Sequence, residues 1–501
     1  MRYILDAAQM KEIDAYSINN IGIPSVVLME RAALSVTKKL IKQYDRMHTD
    51  KRILCVCGSG NNGADGLAVA RQLYLKGYKV DVALNEGGYP TEEYRIQLNI
   101  IRNLGIQYID GPDFSAYGVI VDALFGNGLS RKLEGKALQM VEVVNSAHAA
   151  GAYVAAVDIP SGISASSGAV MGNAVMADMT ITFGYIKTGQ LLYPGAQYCG
   201  RLETADIGFA QYDKVPSSRY MYEPSDIGRN LPVRKPDSNK GSCGKALIIA
   251  GSKQYAGAAL LSSRAAYRMG SGLVRLVTHA DNRNIVLTGN AECLVDTYED
   301  TLLKERAMDK YLDWADAVCI GPGLSLDMQA EEFVRAMIKA ADKKRLFDAD
   351  ALNIIAGNNL SFTGGNVVVT PHIGEMSRLT GKSIPDIKKD IIGTAVDYAR
   401  TQKCICVLKD ARTVVTDGDE VYINTSGNDG MATGGSGDVL SGIITSLMSQ
   451  GMECFAASKL GVYIHGLAGD MAASKKGRYS MLAGDIIENI SEVINNEKDN
   501  C

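Results

Sequence analysis

The chain has no run of 18 or more apolar residues, so nothing in it predicts a membrane span. It also lacks an excess of charge of either sign. Its 52 basic residues face 56 acidic ones, a net charge of −4, which gives no electrostatic case for nucleic acid or a membrane surface as partner. None of the ten cysteines forms a C-x-x-C pair. Cys55 and Cys57 alternate in one expected strand, as do Cys404 and Cys406, which puts each pair on one face of a sheet as small apolar side chains. Buried thiols are expected from this, not disulfides or a metal site. No short-period repeat or low-complexity tract is present. Residues 1–6 reach an acid without an apolar signal core, so a cytoplasmic protein is expected.

What the chain does have is length and a regular texture. Its 501 residues exceed what one hydrophobic core covers, and 46% apolar with 22% charged residues is ordinary for a globular protein, so two or more domains are expected. Asp6 followed by Gln9 reads as a capping box opening a helix across Met10, Ile13 and Tyr16. Gly22-Ile-Pro-Ser25 breaks it, and a second helix runs through Leu28, Ala32 and Leu40 to about Tyr44. Short apolar runs then alternate with helical stretches, at 53–57, 79–84, 118–122, 153–157, 179–183 and 202–207. Between Gln211 and Lys245 the alternation stops and Pro216, Pro224, Pro232 and Pro236 appear. A second series follows, with runs at 246–251, 317–321, 346–350, 366–370 and 404–409. The pattern predicts an α/β protein of two domains. The first, over 1–212, is expected to be a Rossmann-like three-layer α/β/α domain, and a linker over 213–240 leads to a second α/β domain over 241–501.

Functional residues of such sheets collect at the carboxyl ends of strands. Gly58-Ser-Gly-Asn-Asn-Gly-Ala-Asp-Gly66 joins a strand to a helix, where glycines permit close approach and helix N–H groups face an anion. Asn62, Asp122 and Ser161 bring neutral oxygens and one carboxylate to strand ends, a set suited to K⁺ or Na⁺ more than to Zn²⁺. Asp158, before Pro160-Ser-Gly162, is either a proton-transfer group or a cap on its own loop. In the second half, Met431-Ala-Thr-Gly-Gly-Ser-Gly-Asp-Val-Leu-Ser-Gly442 can wrap backbone N–H groups around a phosphate at the start of a buried helix. Asp438 at its mouth reads equally as a base beside that phosphate or as a helix cap.

The first 212 residues resemble the NAD(P)H-hydrate epimerase domain. The resemblance rests on Ile21-Gly-Ile-Pro24, Gly60-Asn-Asn-Gly-Ala-Asp-Gly66, Val121-Asp-Ala-Leu-Phe-Gly126 and Asp158-Ile-Pro-Ser-Gly162, in that order. It implies interconversion of the R and S epimers of hydrated NAD(P)H. By this resemblance Asn61, Asn62, Gly63, Ala64 and Asp65 contact the hydrate, with Gly126, Asn127, Gly128, Leu129, Ser130, Arg131, Lys132 and the catalytic Asp158, while Asn62, Asp122 and Ser161 hold K⁺. Ala64 stands where the family usually has glycine.

Residues from about 230 to 495 resemble the ADP/ATP-dependent NAD(P)H-hydrate dehydratase, a relative of the ribokinase-like sugar and vitamin kinases. Six motifs carry this: Gly251-Ser-Lys-Gln-Tyr-Ala-Gly-Ala-Ala259, Gly321-Pro-Gly-Leu324, Asp348-Ala-Asp-Ala-Leu352, Pro371-His-Ile-Gly-Glu375, Lys409-Asp-Ala-Arg-Thr413 and Gly434-Gly-Ser-Gly-Asp438. The implied reaction phosphorylates the hydrate hydroxyl and eliminates phosphate, restoring NAD(P)H. By resemblance Ala258, Gly323 and His372 contact the hydrate; His372 reads otherwise as a hydrogen-bonded structural histidine. By the same resemblance Lys409, Asp410, Ala411, Arg412 and Thr413, with Gly437, would line the nucleotide and Asp438 would be the catalytic base; Mg²⁺ with ADP or ATP is expected on general grounds of phosphoryl transfer. Asp410, Ser436 and Asn239 replace the family's usual glycine, threonine and histidine. The expected partners are NADHX, NADPHX and a nucleotide, with no nucleic acid and no membrane, and a homo-oligomer is expected of α/β domains of this kind. Two other readings stand beside this one: an orthodox small-molecule kinase in the C-terminal half, and a non-catalytic binding module in the N-terminal half.

Overall fold

Along the strand Arg52–Gly58, Ile53, Cys55 and Cys57 enter one apolar cluster and Leu54 and Val56 another. A period-2 strand divided in this way is buried on both faces, so the sheet it belongs to is the middle of three layers. The computed structural model describes residues 1–47, 50–85, 87, 89–109, 113–210, 217–299 and 306–498. Its chain divides into two units, one of residues 3–217 and one of residues 218–501 together with 1–2. The expected boundary at 212/213 and Pro216 lie outside the described residues.

The strands of the N-terminal part are β1 (Arg2–Leu5), β2 (Arg52–Gly58), β3 (Val80–Asn85), β4 (Gln107–Ile109), β5 (Tyr117–Ala123), β6 (Tyr153–Val157), β7 (Met179–Phe183), β8 (Ile186–Lys187) and β9 (Arg201–Ala205). Seven of them form one sheet in the order β4-β3-β2-β5-β6-β7-β9, every pair parallel. β1 pairs in parallel with β8, Ile4 facing Ile186 and Leu5 facing Lys187. The strand order reverses between β2 and β5, so the loops leaving these two strands part at a topological switch point, where open α/β sheets bind ligands. The capping box at Asp6 and Gln9 is formed in both directions at 2.9 Å. The helix it opens, Ala7–Ala15, continues as a π-helical turn, Tyr16–Asn20, and the second helix, Ser25–Met47, outlasts its expected end.

The second unit carries β10 (Arg219–Met221), β11 (Lys245–Ile249), β12 (Leu273–His279), β13 (Leu294–Tyr298), β14 (Ala317–Ile320), β15 (Lys344–Phe347), β16 (Val367–Val369), β17 (Ile405–Leu408), β18 (Val414–Thr416) and β19 (Val421–Ile423). They lie in the order β13-β12-β11-β14-β15-β16-β17-β18-β19-β10. Neighbours are parallel except around β18, which is antiparallel to both β17 and β19. Here the order reverses between β11 and β14. The stretch expected as a linker, 213–240, holds in its described part β10, which pairs with β19, and the helix Asp226–Asn230. Both units are therefore α/β, as the alternation of apolar runs predicts. The nine described cysteines are all free, and every one except the half-buried Cys243 is buried; Cys501 lies outside the described residues. No helix among the described residues is long and apolar enough to cross a membrane.

Candidate active sites

A cleft of about 610 Å³ opens at the switch point of the N-terminal sheet, lined by the loops after β2, β5 and β6. The helix Asn61–Leu75 starts there with Gly60 as its cap residue and no side-chain cap, so its first-turn N–H groups are available to a ligand. Asn61, Asn62 and Asp65 line the cleft, as do Gly126, Asn127, Gly128, Leu129, Ser130 and Arg131. Gly63, Ala64 and Lys132 do not line it. A Cβ on Gly63 would fall 1.7 Å from the Gly58 carbonyl oxygen, so this glycine is needed where the helix meets its own strand. Ala64 is fully buried in helical backbone and packs in the core, so the alanine found there needs no left-handed conformation.

Asp122 ends β5 fully buried. Its carboxylate accepts from the Ser161 N–H at 2.8 Å, the Ser161 hydroxyl at 2.6 Å and the Leu124 N–H at 3.3 Å. Burial nevertheless outweighs these bonds and lifts its pKa to about 6. Ser161 Oγ accepts in turn from the Phe125 N–H at 2.9 Å. Beside them Asn62 packs on Gly126, its Nδ2 buried without a partner, and Asn127 Oδ1 is likewise buried and unpaired. Half a turn of the Asn62 amide would present an oxygen in place of that nitrogen. One carboxylate, a hydroxyl, the orphaned Asn127 oxygen and the Asn62 amide, once turned, form a donor set that fits a monovalent cation.

Asp158 follows β6 with φ of 65°, a left-handed conformation unusual for a non-glycine residue. Its Oδ1 takes every contact: Lys187 Nζ at 2.5 Å, the Phe183 N–H at 3.1 Å and the Thr182 hydroxyl at 3.2 Å. Gln190 Nε2 donates to its backbone carbonyl at 2.7 Å, which fixes the turn. No hydrogen bond reaches Oδ2 from the described residues. One oxygen of Asp158 thus anchors the loop, as the cap reading expects, and the other is free. Lys187 is fully buried, and burial pulls its pKa down while Asp158 opposes the shift. Two more carboxyls line the cleft, Asp14 from the first helix and Glu93 from the helix Glu92–Asn103. Burial first, then Asp158, Asp14 and Glu93, drive Asp65 well above the usual carboxylate range, and Asp14 is raised by burial, Asp158 and Glu93. Lys187, Asp14 and Glu93 escape sequence reasoning: a lysine in an apolar stretch and acids on amphipathic helices read as surface residues.

In the C-terminal unit the strand ends converge on Asp438. The helix Ser436–Ser449 has Gly435 as its cap residue, with φ of 90°, and Asp438 is the acid of its first turn. Asp438 is therefore not the cap, which removes that reading. Burial, with Asp348 and Asp350 adding to it and Lys409 opposing, raises Asp438 to about 7. Asp348, at the end of β15, is 1% exposed and clamped from two sides, by Lys409 Nζ at 2.8 Å and the Ser441 hydroxyl at 2.7 Å. Burial alone would lower Lys409, but Asp348, Glu375 and Asp438 together raise it. A Cβ on Gly437 would meet Lys409 Nζ at 3.4 Å, so the loop and the strand-end lysine are neighbours. Asp348 directly follows β15 and Asp122 is the last residue but one of β5, so each is an acid at a strand end, and that signal could have found Asp348.

His372 is the cap residue of the helix Ile373–Thr380. Its Nδ1 accepts from the Gly374 and Glu375 N–H groups at 2.9 and 3.3 Å, and Glu375 Oε2 accepts from the His372 N–H at 2.8 Å. Nδ1 as acceptor leaves the hydrogen of the neutral ring on Nε2. The histidine is thus hydrogen-bonded as the structural reading expects, and its ring is 54% exposed. Gly323 and Ala258 meet across the switch point, where a Cβ on Gly323 would lie 2.9 Å from that of Ala258. Asp410 and Ala411 are exposed in the turn from β17 to β18, while Arg412 donates to the Thr425 carbonyl at 3.2 Å and Thr413 Oγ1 is 3.5 Å from the Asp410 carbonyl. Asn239 Oδ1 accepts from the Gly241 and Ser242 N–H groups and closes a local turn.

Two family models match the chain: NAD(P)H-hydrate dehydratase over residues 246–492, and YjeF-related protein N-terminus over residues 25–189. The bifunctional NAD(P)H-hydrate repair enzyme Nnr of Moorella thermoacetica is 36% identical over 99% of this chain and 97% of its own. That of Escherichia coli is 36% identical over 89% of this chain and 85% of its own. Among solved structures, a ribokinase-like superfamily protein of Enterococcus faecalis superposes with a TM-score of 0.51 at 26% identity, covering 57% of this chain and 98% of its own. These matches run through both units and support the repair-enzyme reading over an orthodox small-molecule kinase in the C-terminal half and a non-catalytic binding module in the N-terminal half. The chain belongs to the family of bifunctional NAD(P)H-hydrate repair enzymes.

Proposed function

We propose that the N-terminal unit interconverts the R and S epimers of hydrated NADH and NADPH, and that the C-terminal unit dehydrates the S form with ADP or ATP as phosphoryl donor. The observation that carries this reading is the placement of Asp438, an acid lifted towards neutrality in the first turn of a glycine-led helix, beside the Lys409–Asp348 pair.

In epimerisation the hydroxyl of the hydrated carbon takes a proton and leaves as water, the ring nitrogen supplying the electron pair and becoming cationic. Water then adds to the opposite face and gives the proton back. Asp65, whose surroundings favour its neutral form, is suited to hold the proton, and the free Oδ2 of Asp158 to face the cation. Asn62, Asp122 and Ser161 would hold K⁺, which would supply a fixed positive charge for an anionic part of the dinucleotide.

In dehydration Asp438 accepts the proton of the hydrate hydroxyl, whose oxygen attacks the terminal phosphorus of the donor. The bond to the donor breaks, releasing AMP from ADP or ADP from ATP. The C–O bond then breaks with the ring nitrogen's electron pair, phosphate departs, and loss of a proton from the adjacent carbon restores the dihydropyridine. Residues 434–437 and the helix start offer N–H groups to the phosphoryl oxygens. Ala258, Gly323 and the Nε2–H of His372 hold the hydrate, and Lys409–Thr413 with Gly437 hold the nucleotide. Among the described residues no three His, Cys, Asp or Glu side chains gather to bind a metal, so Mg²⁺ is assigned to the donor's phosphates, with Glu375 as a candidate contact. We place the reaction in the cytoplasm and expect a homo-oligomer.

The test is to incubate the protein with mixed epimers of hydrated NADH and ADP and follow the return of nicotinamide absorbance. Recovery of both epimers supports both activities, and recovery of the S form alone rejects the epimerase. A stable phosphorylated product identifies a kinase instead. No recovery with either donor rejects the reading. Asp438→Ala is expected to abolish dehydration and spare epimerisation, and Asp158→Ala to do the reverse.

A further inference from the structure

The helix Cys454–Lys476 is buried along most of its length. Residues 465, 466, 469 and 470 share one face of it, by spacings of one and four. That face meets the segment leading into the phosphate loop. Asp470 accepts from the Gly427 N–H at 2.8 Å and from Asn428 Nδ2 at 2.9 Å. A Cβ on Gly466 would lie 2.1 Å from Ser426 Oγ, and one on Gly469 2.3 Å from Met431 Sδ, so the helix and the segment are in direct contact. His465 reaches the loop itself. Its Nε2 lies 3.4 Å from Ser436 Oγ, with both residues buried. The ring is neutral, since burial takes its pKa down to about 4, so it carries a single N–H, and on Nε2 that N–H faces Ser436 Oγ.

A serine hydroxyl has one hydrogen to donate and two lone pairs. When a ring N–H occupies a lone pair, the hydroxyl hydrogen is free to turn towards an anion in the loop. Without that N–H it can turn back on a local carbonyl, the usual competitor near helix ends. Serine has no β-branch to restrict its rotamer, so an external hold on the hydroxyl decides where its hydrogen points. We propose that His465 is a positioning residue for dehydration, donating to Ser436 Oγ so that the Ser436 hydroxyl hydrogen points at the transferring phosphoryl group. This rests on the reading of residues 434–437 as the phosphate loop.

The test is a double-mutant cycle on kcat for dehydration of the S epimer at saturating ADP, with His465→Ala, Ser436→Ala and the pair. Each single change is expected to lower kcat about ten-fold. The pair is expected to be no slower than the slower single, because both remove one interaction. ADP binding by calorimetry is expected to persist in all three. Multiplying effects in the pair, or a kcat within about two-fold of the parent for His465→Ala, overturns the proposal. If His465→Ala does not fold, His465→Gln decides: its amide N–H is expected to keep kcat within about three-fold, and a full loss in a folded protein overturns the proposal. Asp438→Asn guards the underlying reading. Retained dehydration in that variant rejects the proposed dehydration site built around Asp438, whereas an inactive Asp438→Asn with a multiplicative cycle rejects only the role of His465.

Discussion

Lys187, with none of its surface exposed, sets its ammonium 2.5 Å from Asp158 Oδ1. Breaking a buried pair from one side leaves an uncompensated charge and costs about 3–5 kcal/mol. Asp158 is also held with φ of 65°, which costs a further ~1–2 kcal/mol and persists only while its neighbours enforce it. Lys187→Met keeps the volume and removes the charge. It is expected to lower the unfolding midpoint of the N-terminal unit and to cut epimerisation about a hundred-fold. Dehydration of pure S epimer is expected to be unchanged. Calorimetry and the two separate assays check this, and epimerisation within a few-fold of the parent would refute it.

The buried Asp122–Ser161 pair and the unpaired Asn62 amide are expected to make epimerisation depend on potassium. Replacing K⁺ with a bulky organic cation at constant ionic strength is expected to slow R-to-S conversion in the parent. Asp122→Asn is expected to be slow in either salt, because the single carboxylate of the donor set is gone. Equal rates for the parent with and without K⁺ would exclude the ion from the site.

Gly435 caps the helix Ser436–Ser449 at φ of 90°, and a Cβ there would fall 2.4 Å from Leu261 Cδ1 and 3.2 Å from the Ala483 Cβ. Gly435→Ala therefore carries backbone strain and overpacking together, about 2–4 kcal/mol of lost stability. Leu261→Ala opens space for the new methyl, so the double variant is expected to lose less stability than the sum of the singles. Denaturant unfolding of the four proteins measures the coupling. Additivity would mean that the loop moves away from Leu261.

The features legible in the sequence share one property: each lies where an apolar run meets an acid or a glycine. Asp122, Asp158 and the 58–66 loop are such positions, and all three lie at the switch point of the N-terminal sheet. The expected runs leave out β12 (Leu273–His279) and β13, whose apolar pattern Arg275 and Asp296 interrupt, and the antiparallel β18 and β19, which are three residues each. Lys187 and His465 were missed for another reason. Each sits in apolar surroundings with nothing local to mark it, and its partner is distant in sequence or on another helix. Asp438 was legible as an acid at a helix start, but its distinction from a cap depends on Gly435 adopting positive φ, which composition does not reveal.

The pH dependence of dehydration follows from the surroundings of Asp438. A base must be ionised to accept a proton, and burial with Asp348 and Asp350 sets the midpoint at about 7 despite Lys409. At saturating substrate, kcat is therefore expected to rise with pH through about 7 and level off above it. Asp348→Asn removes a like charge and releases Lys409 from its partner; both changes favour the ionised form, so the rise is expected to move to lower pH. Lys409→Met removes the opposing cation and is expected to move it higher. Stability runs the other way. Because the folded state binds this proton more tightly than the unfolded chain, the contribution of Asp438 is greatest below the ordinary carboxylate range and is lost as pH rises towards 7. Rate profiles of the three proteins, and unfolding midpoints of the parent and Asp438→Asn across pH 4 to 8, test the assignment from two sides. A profile whose acid limb does not respond to either substitution would mean that another group carries the proton.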